Sequence, residues 1–205
     1  STLALILVVI LAVGPFARVS RILSALAGAH LIYASRKGES PASRDLLPVR
    51  EAVDIYRLGD LSDTVKLLGI LGHPVEKSLS PRMHNEVIRV LGERYIYVPF
   101  DSPDPGPVIE FVRRQDVRGL SVTIPHKVRV IPLLDGLDQT ARDAGAVNTI
   151  VHTNHALIGY NTDLIACRSI LREWAAGPGD RAVLAGAGGA ARSAARALTE
   201  ARVPF

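Results

Sequence analysis

From residue 67 onward, short apolar runs alternate with amphipathic stretches, and this alternation narrows the possible folds more than any other feature. "LLGILG" (67–72) has the length and continuity of a buried strand. "SPRMHNEVIRVLG" (80–92) predicts a helix with Pro81 in its first turn and Gly92 at its end. "YIYVPF" predicts a strand, "PVIEFVRR" a helix and "GLSVTI" a strand. "PHKVRVIPLL" and "QTARDAG" predict short helices. "AVNTIVHTNHALIGYN" predicts a hairpin turning at Thr153, Asn154 and His155. "TDLIACRSILREWA" predicts a helix, and "DRAVLAGAGGAARSAARALTEA" a strand, a glycine turn and a helix. Strands and helices in alternation imply an α/β fold with a mostly parallel open sheet. "RVPF" at 202–205 would begin the next strand of a nucleotide-binding unit, so the chain is expected to be cut there, and at its start as well.

A seam, "GDLSDTVK" (59–66), separates this region from a different first part. There the apolar run "LALILVVILAVG" (3–14) is about half of the roughly 20 residues that a membrane span needs. It has no basic residue before it and no A-x-A pattern after it, so it is read as a buried strand, or a helix end running into one. "FARVSRIL" (16–23) is read as a connection and "AHLIYAS" (29–35) as a strand. The loop "RKGESPASRD" follows, then an amphipathic helix, "LPVREAVDIYRL", opened by Pro48.

With 48% hydrophobic residues the chain can bury a core. Its net charge of +4 (24 − 20) comes from scattered arginines rather than a basic block, which argues against a nucleic-acid partner. No membrane partner is expected. Cys167 is the only cysteine, so an intrachain disulfide and a cysteine-based metal site are excluded; a reducing, cytoplasmic compartment fits. The six histidines form no HExxH pattern, and no metal is expected.

Five stretches carry chemistry, each open to two readings. "GAGGAAR" (186–192) follows an apolar run and opens a helix. Gly186 would permit the tight turn and Gly188 the close approach of a pyrophosphate, with Ala191 at the helix–strand contact. It also reads as a turn of small packing residues. In "SLSP", Ser78 and Ser80 can converge on an anion at a helix start, or one of them can simply cap the helix. Lys127 follows a strand and a proline, at the sheet edge where open α/β folds bind ligands. Partial burial there would suit it to proton exchange; alternatively it is a solvated helix-start lysine. Asp163 in "NTD" either caps a helix or pairs with a lysine. Asn148 in "GAVNT" is either a turn residue or a combined donor and acceptor.

Taken in order, SLSP, SVTIPHK, GAVNT, GYNTD and GAGGAAR resemble the shikimate dehydrogenase family, from its substrate domain into the first part of its nucleotide-binding domain, over residues 67–205. The resemblance implies that Lys127 is the catalytic acid/base and Asp163 its partner. It implies that Ser78 and Ser80 hold the substrate carboxylate, and that Thr123 and Asn148 bind its hydroxyl end. Gly186, Ala187, Gly188, Gly189, Ala190 and Arg192 would form the dinucleotide turn. The implied reaction is reversible reduction of 3-dehydroshikimate to shikimate, with NADP as cofactor and NAD as the alternative. The pattern departs after "NTD", where Leu164 and Ala166 replace the usual glycines. A quinate/shikimate dehydrogenase, a non-catalytic ligand-sensing relative and an inactive truncated fragment are the rival readings. Both serines favour shikimate, and the presence of Lys127 and Asp163 speaks against a sensor.

The first part resembles the last strands and helix of a type I 3-dehydroquinate dehydratase, a (β/α) barrel. Arg21 matches that family's carboxylate-binding arginine, while "SPASRD" (40–45) departs from its usual SAPGQ loop. The barrel's Schiff-base lysine and its histidine would lie upstream of Ser1. The order of the two likenesses implies a fragment of a bifunctional enzyme: a barrel remnant at 1–60, a substrate-binding domain at 67–160, and a linking helix with the start of a Rossmann domain at 161–205.

Overall fold

A computed structural model of the chain describes residues 16–36, 46–61, 64–75, 77–115 and 117–205. The apolar run 3–14, nearly all of the polar loop and residues 62–63 of the seam lie outside the described residues. Contacts divide the chain into two compact units. One runs through Ile70 and resumes over Val75–Ser102; the other comprises Leu71–Pro74 and Pro103–Phe205.

The first unit opens with helix α1 (Ala17–Leu26), where a connection is expected from the sequence. Its inward face mixes Ala17, Val19 and Ile22 with the buried Arg21 and Ser24. Arg21 Nε donates to Tyr33 O at 3.0 Å, and Ser24 Oγ donates to Ser20 O at 2.7 Å. These polar groups are buried because backbone carbonyls take their hydrogen bonds. They also break the apolar stripe that would mark a helix in the sequence.

Only two residues of "AHLIYAS" form a strand, β1 (Ala34–Ser35), which pairs in parallel with β2 (Leu47–Pro48). The expected amphipathic helix after Pro48 winds as a π-helical turn over Glu51–Ile55 and a 3₁₀ turn over Leu58–Asp60. Strand β3 (Lys66–Gly72), helix α2 (Ser80–Leu91) and strand β4 (Tyr95–Asp101) follow, with β4 beside β3. Gly92, at φ 67°, closes α2 in the left-handed conformation that glycine adopts without strain. Ile70, Val75 and Tyr97 form the core here, with Leu68 and Ile88 packed on it. The buried Asn85 ties α2 to β4 through both ends of its amide. Nδ2 donates to Tyr97 O at 2.8 Å, and Oδ1 accepts from Tyr97 N at 2.9 Å. The start of α2, where Ser78 and Ser80 stand, is thereby fixed against the strands.

The second unit contains helix α3 (Gly106–Arg114), strands β5 (Gly119–Val122) and β6 (Gly136–Leu137), and helix α4 (Gln139–Ala144). Strands β7 (Thr149–Thr153) and β8 (Ala156–Tyr160) and helices α5 (Thr162–Glu173) and α6 (Gly189–Glu200) complete it. Its strands lie in the order β5-β7-β8-β6. β7 runs antiparallel to β5 and to β8, and β6 is parallel to β8, so β5, β8 and β6 point the same way. The end of β3 lies parallel along β5: Thr123 N donates to Leu71 O and His73 N to Ile124 O, each at 2.9 Å. The fold is α/β with a mostly parallel sheet, as expected. The hairpin turns as expected too: Asn154 (φ 48°) and His155 (φ 63°) occupy the left-handed region that a two-residue turn requires.

Two expectations fail in this unit. Residues 127–130 form turns, followed by a 3₁₀ turn at Ile131–Leu133, rather than one helix. Pro132 stands in that segment without an N–H to donate. Residues 182–185 do not form a strand. Val183 is 99% exposed, and Ala182 N donates to Pro204 O at 3.0 Å. A strand exists through its ladder, and no neighbouring strand supplies one there among the described residues. The glycine turn and α6 form regardless, because α6 packs on helices. Ala144, Leu164 and Ala197 join α4, α5 and α6 in one apolar cluster. Above it, Arg168 donates to Glu200 Oε2 at 2.7 Å and to Asp143 Oδ2 at 2.9 Å. Hydrogen bonds, chiefly from Arg168, hold the Glu200 carboxyl below the ordinary carboxylate range.

Gly159 in β8 marks a close approach. A Cβ there would lie 2.7 Å from Val147 Cγ2 and 2.8 Å from Leu134 Cδ1. Gly159→Ala is expected to destabilise the protein by about 1–3 kcal/mol, the cost of overpacking a filled core. Chemical denaturation of both forms measures it.

Candidate active site

Four segments of the second unit meet around residue 148. Val122 N at the end of β5 donates to Asn148 O at 2.7 Å, and Asn148 N donates to Tyr160 O at the end of β8 at 3.0 Å. Val147 N donates to Lys127 O at 2.7 Å. The backbone of Asn148 is thus fixed by the ends of two strands, and the loop that carries Lys127 is fixed beside it.

Asn161 anchors the fourth segment. It is fully buried and caps α5, its Oδ1 accepting from Leu164 N at 2.8 Å. Its Nδ2 donates to Ala146 O at 2.8 Å, and its backbone N–H donates to Thr140 Oγ1 at 2.9 Å. Ser193 Oγ of α6 donates to the same Oδ1 at 3.0 Å. This sets the first turn of α5 in place, and with it Asp163, whose negative charge suits a helix N-terminus.

On this frame Lys127 Nζ donates to Asp163 Oδ2 at 2.5 Å. The pair is half-buried, the lysine side chain 19% and the aspartate 34% exposed. Asp163 Oδ1 accepts from Asn148 Nδ2 at 2.8 Å, so the two carboxylate oxygens have different partners. The Asn148 amide is filled from within the chain. Nδ2 also donates to Thr162 Oγ1 at 2.8 Å, while Oδ1 accepts from Thr162 N at 2.9 Å and from Thr149 Oγ1 at 3.0 Å. An ammonium has three donors and here gives one to Asp163, leaving capacity for a second oxygen. A positioned amine with its carboxylate partner can pass a proton to or from such an oxygen.

The structure brings Lys127, Asn148 and Asp163 into hydrogen-bonding contact. Thr123 stands four residues before Lys127, half-buried, its carbonyl accepting from His126 N at 2.9 Å. Ser78 and Ser80 belong to the first unit. No side-chain cap opens α2; instead Ser80 N donates to Ser78 Oγ at 3.3 Å. Both serines are half-buried.

The glycine turn leads into α6 in the second unit. Gly186 has φ 119°, and Gly188 caps α6 in extended conformation. A Cβ at either would meet nothing within 4 Å, so the backbone is open to approach. The first N–H groups of a helix lack intrahelical partners, and this turn fits a phosphate group by its open backbone. Ala187, Ala190 and Arg192 are exposed. Among the described residues no cluster of His, Cys, Asp or Glu suits a metal ion, and no helix is long and apolar enough to cross a membrane.

Sequence reasoning missed Asn85 and Asn161. Asn161 sits inside a recognised motif and Asn85 inside a predicted helix, but nothing in the sequence marks either as a buried, fully bonded asparagine. In the first part of the chain, Arg21 is buried, and its Nε and Nη1 both donate to backbone carbonyls.

A family model described as the shikimate dehydrogenase substrate binding domain matches residues 70–150. A curated relative from Rubrobacter xylanophilus, a shikimate dehydrogenase (NADP(+)), is 47% identical over 143 residues, which are 66% of this chain and 49% of that protein. A crystal structure of a shikimate dehydrogenase in complex with NADP+ is 42% identical with a TM-score of 0.58, covering 64% of this chain and 47% of the other. A Thermus thermophilus shikimate 5-dehydrogenase solved with NADP(H) and shikimate is 34% identical, also with a TM-score of 0.58, covering 68% of this chain and 54% of that one. The chain spans about half the length of the curated relatives it matches. Residues 70–150, which include Lys127 and Asn148, are thus similar to the substrate-binding domain of the shikimate dehydrogenase family.

Proposed function

We propose that the full-length protein is a shikimate dehydrogenase that reversibly reduces 3-dehydroshikimate to shikimate, and that residues 67–160 are its substrate-binding domain. The observation that carries this reading is the Lys127–Asp163 pair at 2.5 Å, with Asn148 on the other carboxylate oxygen. NADP, held at Gly186, Ala187, Gly188, Gly189, Ala190 and Arg192, would supply or accept the hydride at the carbon that bears the reacting oxygen.

The chain's own residues manage the proton. In reduction, Lys127 Nζ–H donates to the oxygen as the carbon receives hydride, so the ketone becomes an alcohol and the lysine is left neutral. In oxidation, neutral Lys127 takes the hydroxyl proton as hydride departs. Asp163 stabilises the ammonium form and holds it in one direction. Asn148 fixes the carboxylate through Nδ2 and, with Thr123, binds the substrate's hydroxyl end. Ser78 and Ser80 bind the substrate carboxylate, an interaction equally strong before and during reaction.

These roles separate in kinetics. In the full-length protein, Lys127→Met is expected to lower kcat by about 10²- to 10⁴-fold, the usual contribution of a positioned acid/base, with little change in shikimate binding. Ser78→Ala combined with Ser80→Ala is expected to raise KM more than it lowers kcat, because the contact acts alike in ground and transition states. Steady-state rates of shikimate-dependent NADP reduction decide this. A lysine variant changed only in KM would make Lys127 an anchor and overturn its role.

We further infer that residues 1–60 close a type I dehydroquinate dehydratase barrel fused ahead of the dehydrogenase. The parallel pairing of β1 and β2, with α1 before them in the chain, supports this reading. Borohydride trapping with dehydroquinate on the full-length protein is expected to give a covalent lysine adduct mapping outside residues 1–205. A full-length protein that forms no adduct would contradict the fusion.

A further inference from the structure

Three glycines of the turn into α6 differ in what surrounds them. At Gly186 and Gly188 an added Cβ would meet open space. At Gly189 it would lie 2.6 Å from Lys127 Cβ, 2.9 Å from Lys127 Cδ and 3.3 Å from Lys127 Cγ. Real Cβ atoms do not approach so closely, and the nearest obstacle is the root of the lysine side chain rather than its flexible tip. Gly189 is also the first residue of α6 and has no left-handed φ, so its backbone alone does not call for glycine. What calls for it is the Lys127 stem.

The contact is not isolated. Two neighbours of Gly189 also reach back toward the site. Ser193 Oγ donates to Asn161 Oδ1, and Arg192 Nη1 lies 3.5 Å from the Cβ position of Gly145, three residues before Asn148. The first turn of α6 is thus seated against the segments that hold Lys127, Asn148 and Asp163.

We propose that Gly189 is a positioning residue for Lys127. Its bare Cα is the wall along which the lysine stem lies, and the ammonium at the end of that stem reaches Asp163. A long side chain such as lysine loses much rotamer freedom when it is fixed. A wall that admits one path for the stem removes competing rotamers in advance. The same wall links the glycine turn to the acid/base group: any shift of the turn, including one caused by phosphate binding on its open side, is passed to the lysine. The consequence for turnover rests on the function proposed above, whereas the packing itself does not.

The test uses the full-length protein and reads Lys127 directly. Limiting reductive methylation with isotopic formaldehyde, followed by peptide mass spectrometry, measures how accessible the Lys127 amine is. Gly189→Ala is expected to raise Lys127 labelling several-fold by pushing the stem off the wall and loosening its bond to Asp163. Gly188→Ala, whose Cβ meets nothing, is expected to leave labelling at the parent's rate. In turnover Gly189→Ala is expected to lose about 10- to 100-fold in kcat, the cost of displacing a reacting group by roughly 1 Å.

Equal Lys127 labelling in the parent and a folded Gly189→Ala variant would overturn the proposal, as would a variant changed only in its KM for the dinucleotide. If Gly189→Ala does not fold, adding Lys127→Gly should restore folding by removing the stem; failure of that rescue also overturns it. Labelling that changes as expected in a protein without shikimate-dependent turnover would uphold the packing role and refute the proposed function instead.

Discussion

The side chain of Asn161 is the constraint on which the rest of the site depends. It lies with no solvent exposure where α5 begins, and it joins the loop at Ala146, the cap of α5 and the first turn of α6, while its backbone reaches α4. Each such hydrogen bond contributes only about 0.5–1.5 kcal/mol net, but a buried polar group left unmatched costs about 1–3 kcal/mol. The asymmetry makes the arrangement close to all-or-none. Asp163 stands two residues further on, and its direction follows from the cap.

A division of labour follows among the polar residues. Asn161 sets the backbone, Asn148 sets the carboxylate, and the carboxylate sets the lysine. Asn148 donates to Thr162 and Asp163 and accepts from Thr162 and Thr149, which fixes the direction of the carboxylate. The half-buried position of Lys127 and Asp163 matters as well. A pair of this kind is less screened than one on the open surface, and the ammonium keeps donor capacity beyond Asp163. In the first unit Asn85 does a parallel job, locking α2 to β4 and so fixing the segment that carries Ser78 and Ser80.

Much of this was legible before any coordinates. The β-α alternation specified the α/β class, and Pro81 and Gly92 marked α2 from both ends. Asn154 and His155 marked the hairpin because few residues tolerate positive φ. Lys127 and Asp163 stood out by their place after a strand and at a helix start. What stayed hidden depends on partners remote in sequence. The helix α1 was masked because its buried face includes Arg21 and Ser24, polar residues satisfied by carbonyls that no sequence pattern reveals. Residues 182–185 have strand propensity, but a strand also needs a neighbour. Gly189 looked like one more glycine of a turn, and its contact with a lysine 62 positions earlier is a property of packing alone.

The Asn161 cap, rather than the attraction of lysine for aspartate alone, sets the Lys127–Asp163 pair. A crystal structure of Asn161→Ala tests this most directly. In that variant the first turn of α5 is expected to relax, Asn148 Nδ2 to lose Asp163 Oδ1, and Lys127 Nζ to move beyond hydrogen-bond reach of Asp163 Oδ2. A variant in which the loop at Ala146 and α6 lose their bonds to residue 161 while the 2.5 Å pair stays intact would contradict it.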